Sequence, residues 1–369
     1  MLHILRPFAH PLRAVIAVFL SIILFSLFLG SCSSEPFDPV REGKLLLGTT
    51  VNVTLYEEGP DGIFERVFDR VAEIERKMST SKEDYDTTEL LEVNRNAGIR
   101  PVRVSSDTFE VIRRALQYSE LTEGAFDVTI YPLVELWGIG TPDARVPEEE
   151  EIQERLALVD YRKVQLDPEA QTVYLPEEGM GLDVGAIAKG YAADESRRIL
   201  KEAGVDSALL DFGGNIVTVG EKPNGQPWKI GIQNPEAGRG RYLGILSSGP
   251  MAVVTSGDYE RYFVQDDVRY HHIISSKTGY PARPGLASVT ILTEDSTEAD
   301  ALATALYVMG AEKGLPFVRD RDDIEAAFVT HEKEVYMTAG MESALNLSHE
   351  DYEIVPWPAG AQAAAAEPR

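Results

Sequence analysis

The sequence predicts an α+β fold built around one large domain. The chain has 369 residues, of which 44% are hydrophobic, so a sizeable core can form. Predicted strands and helices are mixed along the chain, and many of the strands are short and paired like hairpins. We find no internal repeat. These observations favour mixed sheets packed with helices over a doubly wound parallel sheet.

The N-terminal segment has the layout of an export signal. Arg6 and Arg13 precede a mostly apolar run over residues 14–29, and small residues follow before Cys32. That run is marginal for a membrane span, and the small residues favour cleavage. We therefore expect residues 1–31 to form a lipoprotein signal peptide and Cys32 to carry the lipid. A plain signal peptide, or a signal anchor with an incidental cysteine, is the alternative.

Charge and cysteine content limit the partners of the exported part. Cys32 is the only cysteine, so no intramolecular disulfide can form and core packing must stabilise the domain. The net charge of −25 becomes −27 for residues 32–369, because residues 1–31 carry two arginines and no acid. This excess of acid argues against a nucleic-acid partner and against electrostatic docking to anionic lipid. A phosphate ligand would need a local cation, such as a metal ion.

The regular elements follow a polar linker over residues 32–43. Apolar residues at helical spacing predict helices over residues 62–78, 107–121 (capped by Ser105 or Ser106), 184–203, 297–310 and 313–319, and an acidic helix start at residues 148–151. Alternating β-branched residues predict strands near residues 45–56, 163–166, 172–175, 207–211, 216–220, 228–233, 242–246, 251–255, 262–265, 272–275, 286–293, 325–330 and 334–337. We expect the folded domain to cover residues 44–356 and the alanine-rich tail, residues 357–369, to be disordered.

A glycine-rich turn over residues 181–194 (GLDVGAIAKGYAAD) leads into one of these helices. Gly185 and Gly190 let a backbone approach a ligand, a helix start offers unpaired N–H groups to an anion, and Lys189 adds a mobile cation. The segment matches neither a P-loop nor the GxGxxG fingerprint. We interpret it as a cradle for a pyrophosphate, with Asp183 as its acid. A glycine-bracketed helix entry with a solvated lysine is the alternative.

The predicted helix near residues 296–310 is apolar on almost every face and should be buried. Asp300, Thr304 and Tyr307 nevertheless form a polar stripe along it. A carboxylate and a hydroxyl one turn apart, completed by a backbone carbonyl, make an all-oxygen site of the kind that binds Mg²⁺. The alternative is that Asp300 caps N–H groups at the start of its own helix.

Three further segments carry polar or aromatic residues at turns. Residues 211–215 (DFGGN) form a tight turn after a strand. The turn is either a plain β-turn or a point where a ligand approaches the backbone closely. Residues 124–129 (GAFDVT) form a Gly–aromatic–Asp turn that could offer its ring to a flat ligand. Residues 270–281 place His271 and His272 at a strand entry, where the near-neutral pKa of histidine suits general acid–base work. No ligand set with zinc-site spacing accompanies the two histidines.

Six segments occur in a fixed order: AFDVT (125–129), GLDVGAIAKGYAAD (181–194), DFGGN (211–215), TSGDYERYF (255–263), HIISSKTGYPA (272–282) and ADALATALYVMG (299–310). Together they resemble the ApbE family, the FAD:protein FMN transferases. The resemblance spans roughly residues 45–340, and the lipoprotein-like N-terminus agrees with many bacterial members.

The resemblance implies an α+β, T-fold-like domain that cleaves FAD at its pyrophosphate. The enzyme would transfer FMN to a Thr or Ser hydroxyl of an acceptor protein, releasing AMP. Asp300, Thr304 and the backbone carbonyl of Ala186 would bind Mg²⁺, and His272 would take the proton of the acceptor hydroxyl. The FAD contacts would come from Leu47, Ala125, Phe126, Asp127, Asp183, Lys189 and Ile274, the last with its neighbour Ile273.

The resemblance also implies a location and a class of partner. The enzyme would be held on the periplasmic or extracytoplasmic face of a bacterial membrane by the lipid on Cys32. Its acceptor would be a subunit of a membrane redox complex or an exported flavoprotein.

The chain departs from the family pattern at three places. Ser275 and Ser276 stand where the family has Asp-Pro, which puts the orientation of His272 in question unless a serine replaces that hydrogen bond. Leu47 replaces a methionine and should still pack against a flavin or adenine. Ser81 replaces a tyrosine, which would remove a stacking contact.

Two other functions fit the same segments. An Mg²⁺-dependent FAD pyrophosphatase would use water in place of the protein hydroxyl and give FMN and AMP. A non-catalytic FAD-binding lipoprotein would bind FAD without turnover. An acceptor with a D-G-x-[ST]-x-[ST]-like motif distinguishes the transferase, and this chain has no obvious site of that kind itself.

Overall fold

The described part of the structure, a computed structural model, covers residues 37–81, 84–238 and 240–356. The predicted signal peptide, the predicted lipidation site Cys32 and the predicted disordered tail lie outside these ranges. Within them, no helix is long and apolar enough to cross a membrane. The described strands and helices all belong to one compact unit, Pro39–Arg369.

The first elements are a hairpin. Strands β1 (Val40–Leu46) and β2 (Thr49–Leu55) pair antiparallel around a turn at Leu47 and Gly48. The single strand predicted over residues 45–56 is therefore wrong, and so is the end of the linker at residue 43. The side chains of β1 are almost all exposed, so this strand shows no alternation of apolar and polar residues from which to predict it.

The helices confirm the strongly periodic predictions. In the described ranges they are α1 (Ile63–Met78), α2 (Glu89–Arg95), α3 (Ser106–Leu121), α4 (Tyr131–Trp137), α5 (Glu149–Leu156), α6 (Ala188–Glu202), α7 (Ser296–Arg319) and α8 (Ala339–Ala344), with a 3₁₀ turn at Tyr161–Lys163. The two helices predicted between residues 297 and 319 form α7, which is broken at Gly310 (φ 75°). Helices α2, α4 and α8 were not predicted, because six or seven residues show too little periodicity.

The two predicted helix starts differ in outcome. Helix α5 begins with the expected acidic residues, and Glu148 and Glu151 form a capping box. Ser105 is the cap residue of α3, but its side chain makes no capping hydrogen bond. Its hydroxyl donates instead to Oε2 of Glu89 at 2.8 Å. The predicted position of the cap is confirmed.

The remaining strands are β3 (Val102–Arg103), β4 (Gln165–Asp167), β5 (Thr172–Tyr174), β6 (Ala208–Phe212), β7 (Asn215–Val219), β8 (Trp228–Gln233), β9 (Tyr242–Ser248), β10 (Ala252–Gly257), β11 (Tyr262–Gln265), β12 (Val268–His271), β13 (Leu286–Thr293), β14 (Glu325–Thr330), β15 (Glu334–Met337), β16 (Leu345–Leu347) and β17 (Glu353–Ile354). The strand predicted near residues 272–275 is wrong. Asp266 and Asp267 both adopt positive φ in a two-residue turn that joins β11 to β12. Because of this turn, the strand begins at Val268 and ends at His271, before the predicted range.

One large mixed sheet organises the chain. Its nine strands have the order β1-β2-β6-β7-β10-β13-β14-β15-β17, and all neighbours are antiparallel except β15 and β17. Smaller sheets have the orders β16-β9-β8, β3-β5-β4 and β11-β12. Strand β13 is buried at every position, and α7 packs on β13 and β10. The predicted α+β fold is confirmed.

An ion-pair network holds α6 against α1 and α3. Arg70 pairs with Asp107 at 2.6 Å and with Glu195 at 2.9 Å, and the hydroxyl of Tyr191 donates to Asp107 at 2.8 Å. The hydrogen bond from Arg70 is the largest cause that holds the pKa of Asp107 well below its usual range. The network fixes the helix that begins beside Lys189.

Candidate active site

The cradle over residues 181–194 is fixed by Asp183. Its Oδ1 accepts the Gly185 N–H at 2.7 Å, and its Oδ2 accepts the hydroxyl of Thr80 at 3.2 Å. Its own N–H donates to the carbonyl of Val128 at 2.9 Å. Asp183 therefore shapes the turn and joins it to the GAFDVT segment.

Asp300 is the acid at the junction of α6 and α7. Its side chain is buried, Oδ2 accepts the Gly190 N–H at 3.0 Å, and Oδ1 lies 3.3 Å from Nζ of Lys189. The same Nζ lies 3.2 Å from the carbonyl oxygen of Gly185. Asp300 therefore binds the start of the neighbouring helix and a lysine, and both contacts balance the cost of burying its charge.

The alternative role for Asp300, as a cap of its own helix, is wrong. Asp295 caps α7 by accepting the Glu298 N–H at 2.8 Å. Asp194 accepts the N–H groups of Ser296 at 3.1 Å and Thr297 at 2.8 Å from outside the helix. Two other carboxylates thus accept the N–H groups of the first turn of α7, and Asp300 contacts α6 instead.

Three oxygen groups around Asp300 fit a magnesium ion. In a regular helix the Gly190 N–H would donate to the carbonyl of Ala186, but here it donates to Asp300. Among the described residues, no hydrogen bond to the Ala186 carbonyl is found. Thr304 lies one turn after Asp300, and its hydroxyl is 3.2 Å from that of Ser256. A carboxylate, a hydroxyl and a carbonyl with no helical partner are hard oxygen ligands.

This ligand set is poor in charge. The described ranges contain no group of three or more His, Cys, Asp or Glu side chains that could hold a metal. Mg²⁺ is usually bound by one or two carboxylates together with water and the phosphates of a substrate, so a single carboxylate fits such a site. Zinc would need a richer set of nitrogen or sulfur ligands.

The two adjacent histidines have different surroundings. His271 is buried, its Nε2 lies 2.8 Å from the Ala282 carbonyl, and its Nδ1 accepts the Ile273 N–H at 3.3 Å. Desolvation lowers the pKa of His271 to about 4, and it remains neutral as part of the core. The predicted acid–base role therefore does not extend to His271.

His272 is half-buried at the wall of the site. Its Nδ1 lies 3.3 Å from the carbonyl oxygen of Arg261, which can only accept, so Nδ1 carries the proton and Nε2 is the basic nitrogen. Desolvation first, and then the charge of Arg261, lower the pKa of His272; Lys189 is close enough to add a smaller effect. The ring is a neutral base near neutral pH.

The two serines that depart from the family pattern do not contact His272. The Ser276 hydroxyl donates to the Gly124 carbonyl at 2.5 Å, and the Ser275 hydroxyl accepts the Lys277 N–H at 3.3 Å. The expectation that a serine replaces the orienting hydrogen bond is wrong. The backbone carbonyl of Arg261 orients it instead.

The GAFDVT segment offers backbone rather than a ring. Phe126 is only 4% exposed and lies in the main core, so the expected stacking of its ring on a flat ligand is wrong. Ala125 is buried beside it. Asp127 accepts the N–H of Thr129 at 2.9 Å and that of Tyr161 at 3.4 Å, and desolvation raises its pKa.

Two of the predicted flavin contacts lie at the edges of this arrangement. Leu47 is half-buried with φ 54°, and Oε1 of Glu75 accepts its N–H at 2.9 Å. A positive φ at a leucine is uncommon, and here it is imposed by the tight turn between β1 and β2. Ile274 is buried against Trp137 and Leu133, and Ile273 lies in the main core. Ile274 would therefore meet a ligand mainly through its backbone.

The DFGGN segment is a plain β-turn, as its simpler interpretation predicted. Gly213 and Gly214 both have positive φ and join β6 to β7. Oδ1 of Asp211 accepts the Gly214 N–H at 3.1 Å. A β-carbon at position 213 would collide with the side chain of Thr49, so the turn also needs glycine for close packing beside the Leu47 turn.

Hydrogen bonds join the motifs into a closed ring, which we call the motif ring. It runs from Asp183 to Val128, from Gly124 to Ser276, from His272 to Arg261, from Ser256 to Thr304 and from Asp300 to Gly190. Each of these hydrogen bonds joins two different segments of the sequence. Consecutive bonds share a segment, so a few residues of the chain connect one bond to the next. The structure therefore brings the predicted residues of five separate motifs to one place.

Sequence analysis missed three residues that shape the ring. Arg261 and Ser256 lie inside the TSGDYERYF segment, but nothing in their spacing indicated a role. Thr80 lies just after α1 and shows no local signal at all.

A groove of about 650 Å³ lies away from the motif ring, between α1 and α6. It is lined by Arg66, Asp69, Arg70, Glu73, Arg76 and Ile199. Of its three arginines, Arg70 is neutralised by ion pairs, and none of its lining residues belongs to the motif ring.

Over most of its length the chain is similar to known proteins. The chain matches the model of the ApbE family over residues 47–328. It is 36% identical over 311 residues to the FAD:protein FMN transferase of Klebsiella pneumoniae (strain 342), covering 84% of this chain and 95% of that protein. The solved ApbE protein of Thermotoga maritima is 34% identical with a TM-score of 0.77, over 83% of this chain and 99% of that one. The flavin transferase ApbE of Vibrio cholerae is 31% identical with a TM-score of 0.74, at the same coverage.

Proposed function

Because the chain belongs to the ApbE family, we propose that it is an FAD:protein FMN transferase. The substrate is FAD, the acceptor is a Thr or Ser hydroxyl of another protein, and the products are the FMN-bearing protein and AMP. The observation that carries this proposal is the motif ring. In this ring, hydrogen bonds and short stretches of chain connect His272 with Asp300 and Lys189, which supports the proposal.

The bond changes follow from the proposed substrates and products. The acceptor oxygen attacks the phosphorus of the FMN half of FAD, and a new P–O bond forms as the anhydride bond to AMP breaks. His272 Nε2 takes the proton of the acceptor hydroxyl, and AMP leaves with the electron pair of the broken bond. Lys189, which is partly exposed, supplies a positive charge for the phosphate oxygens.

We propose that Asp300, Thr304 and the Ala186 carbonyl hold Mg²⁺ in this reaction. When bound, Mg²⁺ neutralises negative charge on the phosphates and stabilises it as it builds up. The protein's own contribution is to hold the three oxygens in place. Burial of Asp300 and its hydrogen bond to Gly190 do this for the carboxylate, and Ser256 does it for Thr304.

We further propose that Cys32 carries a lipid that holds the enzyme on the outer side of a bacterial membrane. The apolar run over residues 14–29 and the small residues before Cys32 support this location. It would bring the site to an acceptor in the membrane or in the exported space. A mature protein whose mass shows no lipid on Cys32 would contradict the lipid anchor.

The direct test uses the purified protein with FAD, Mg²⁺ and an acceptor peptide carrying a D-G-x-[ST]-x-[ST]-like motif. We expect the peptide to gain the mass of an FMN group and an equal amount of AMP to appear. His272→Gln should abolish both products while leaving FAD binding intact, since the base is removed and the cradle is kept.

The same assay separates the alternatives. AMP without a change in peptide mass, across several acceptor peptides, would support the FAD pyrophosphatase. FAD binding without either product would support a flavin-binding lipoprotein. Modification that proceeds fully after chelation of divalent metal would contradict the assignment of Asp300 and Thr304.

A further inference from the structure

Arg261 is the residue next to His272 in the motif ring. It lies between β10 and β11, and its carbonyl oxygen accepts the His272 N–H at 3.1 Å besides lying 3.3 Å from Nδ1. These contacts hold the backbone and the ring of His272 together. Arg261 is therefore directly hydrogen-bonded, through its backbone, to the proposed base.

The Arg261 side chain crosses to the turn between β1 and β2. Its Nη2 donates to the Gly48 carbonyl at 3.3 Å. A β-carbon at position 48 would lie 3.3 Å from the same nitrogen, and one at position 140 would lie 3.9 Å from its Cδ. One hydrogen bond thus ties the guanidinium to the Leu47–Gly48 turn, and the absence of a side chain at Gly48 and at Gly140 leaves room beside Arg261.

Arg261 has no carboxylate partner in the part of the chain that the structure describes. Arg269, across the β11–β12 hairpin, lies 3.6 Å from Asp258, and Arg70 pairs with Glu73, Asp107 and Glu195. The Arg261 guanidinium is exposed and has five N–H donors, so most of them are free for an anion.

We propose that the guanidinium of Arg261 binds the diphosphate of FAD. The inference rests on the proposed function and adds a residue to it. A planar guanidinium matches phosphate oxygens with two parallel hydrogen bonds, which a lysine cannot reproduce. The base at His272 must lie near the reacting phosphorus, and the charge of Arg261 is close enough to that ring to lower its pKa, so the guanidinium also lies near the phosphate oxygens where negative charge develops.

A purely structural role is the competing explanation. Arg261 would then only hold the β1–β2 turn through the Gly48 carbonyl. Such a role predicts equal loss of affinity for every flavin that contacts the turn, and a lower melting temperature. A phosphate contact predicts a loss that depends on the diphosphate.

The test measures flavin binding by the full-length protein without acceptor or added metal, using quenching of flavin fluorescence. Arg261→Gln should weaken FAD binding by about 10- to 100-fold, the range expected for charge-assisted hydrogen bonds, and leave riboflavin binding unchanged. Arg261→Lys should recover only part of the FAD affinity. Arg103→Gln, an exposed arginine on β3, removes the same charge from another sheet and should bind FAD like the wild type.

Each outcome decides. Equal weakening of FAD and riboflavin, or a melting temperature lowered by Arg261→Gln and restored by Arg261→Lys, would assign Arg261 to the turn and overturn the inference. Unchanged FAD affinity in Arg261→Gln would overturn it while leaving the proposed function intact. A wild-type protein that binds no FAD would overturn both.

Discussion

At the scale of single residues, the decisive feature is how His272 is oriented. A backbone carbonyl, that of Arg261, fixes the Nδ1 proton and leaves Nε2 as the base. The sequence identified the histidine through its motif, but it could not identify this partner, because any residue can offer a carbonyl. For the same reason, replacement of the family's Asp-Pro by Ser275 and Ser276 does not remove the orienting contact.

The lowered pKa of His272 predicts how activity depends on pH. With an ordinary pKa near 6.5, the neutral fraction would fall about tenfold between pH 7.5 and 5.5. Desolvation and the charge of Arg261 favour the neutral form, so the base stays active until the pH falls through its lowered pKa. The rate of AMP release in the transfer assay should therefore change little over this range. A tenfold fall with a midpoint near pH 6.5 would contradict the assigned surroundings of the ring.

At the scale of elements, the site depends on how closely α6 approaches α7. A β-carbon at position 190 would collide with the backbone carbonyl of Ser296. The close approach is what lets the Gly190 N–H reach Asp300. Gly190 was interpreted from the sequence as a residue that admits a ligand, but the structure gives it a packing role between two helices. A glycine in a helical pattern does not reveal which of these it serves.

Gly190→Ala should therefore damage both stability and the site. Because the obstacle is backbone, the two helices must separate, and we expect the free energy of unfolding to fall by about 1–3 kcal/mol. Denaturant unfolding checks this, with Gly249→Ala as the control, since a β-carbon there meets nothing within 4 Å. Equal stability of the two variants would contradict the close packing of α6 on α7.

The elements also show how far sequence reasoning reaches. Long amphipathic helices such as α1 and α3 were predicted almost to the residue, because many apolar positions repeat. Strand β1 was missed because its side chains are exposed and only its backbone pairing defines it. Strand β12 was misplaced because the turn at Asp266 and Asp267 sets its register.

At the scale of the whole molecule, the large sheet and α7 place five sequence motifs within one hydrogen-bonded ring. The order of the motifs along the chain indicated the family and the candidate residues. The contacts between motifs, such as Ser256 with Thr304 or Gly124 with Ser276, join residues 48 and 152 positions apart. Contacts of that sequence separation arise from the topology of the sheet and leave no local signal.

The central claim is that FAD is bound and cleaved inside the motif ring. The most direct measurement is a crystal structure of the protein with FAD and Mg²⁺. We expect the metal on Asp300 and Thr304 and the diphosphate of FAD between that metal and His272. FAD bound elsewhere, for example in the groove that includes Arg66 and Arg76, or a metal that leaves Asp300 and Thr304 uncoordinated, would contradict the account.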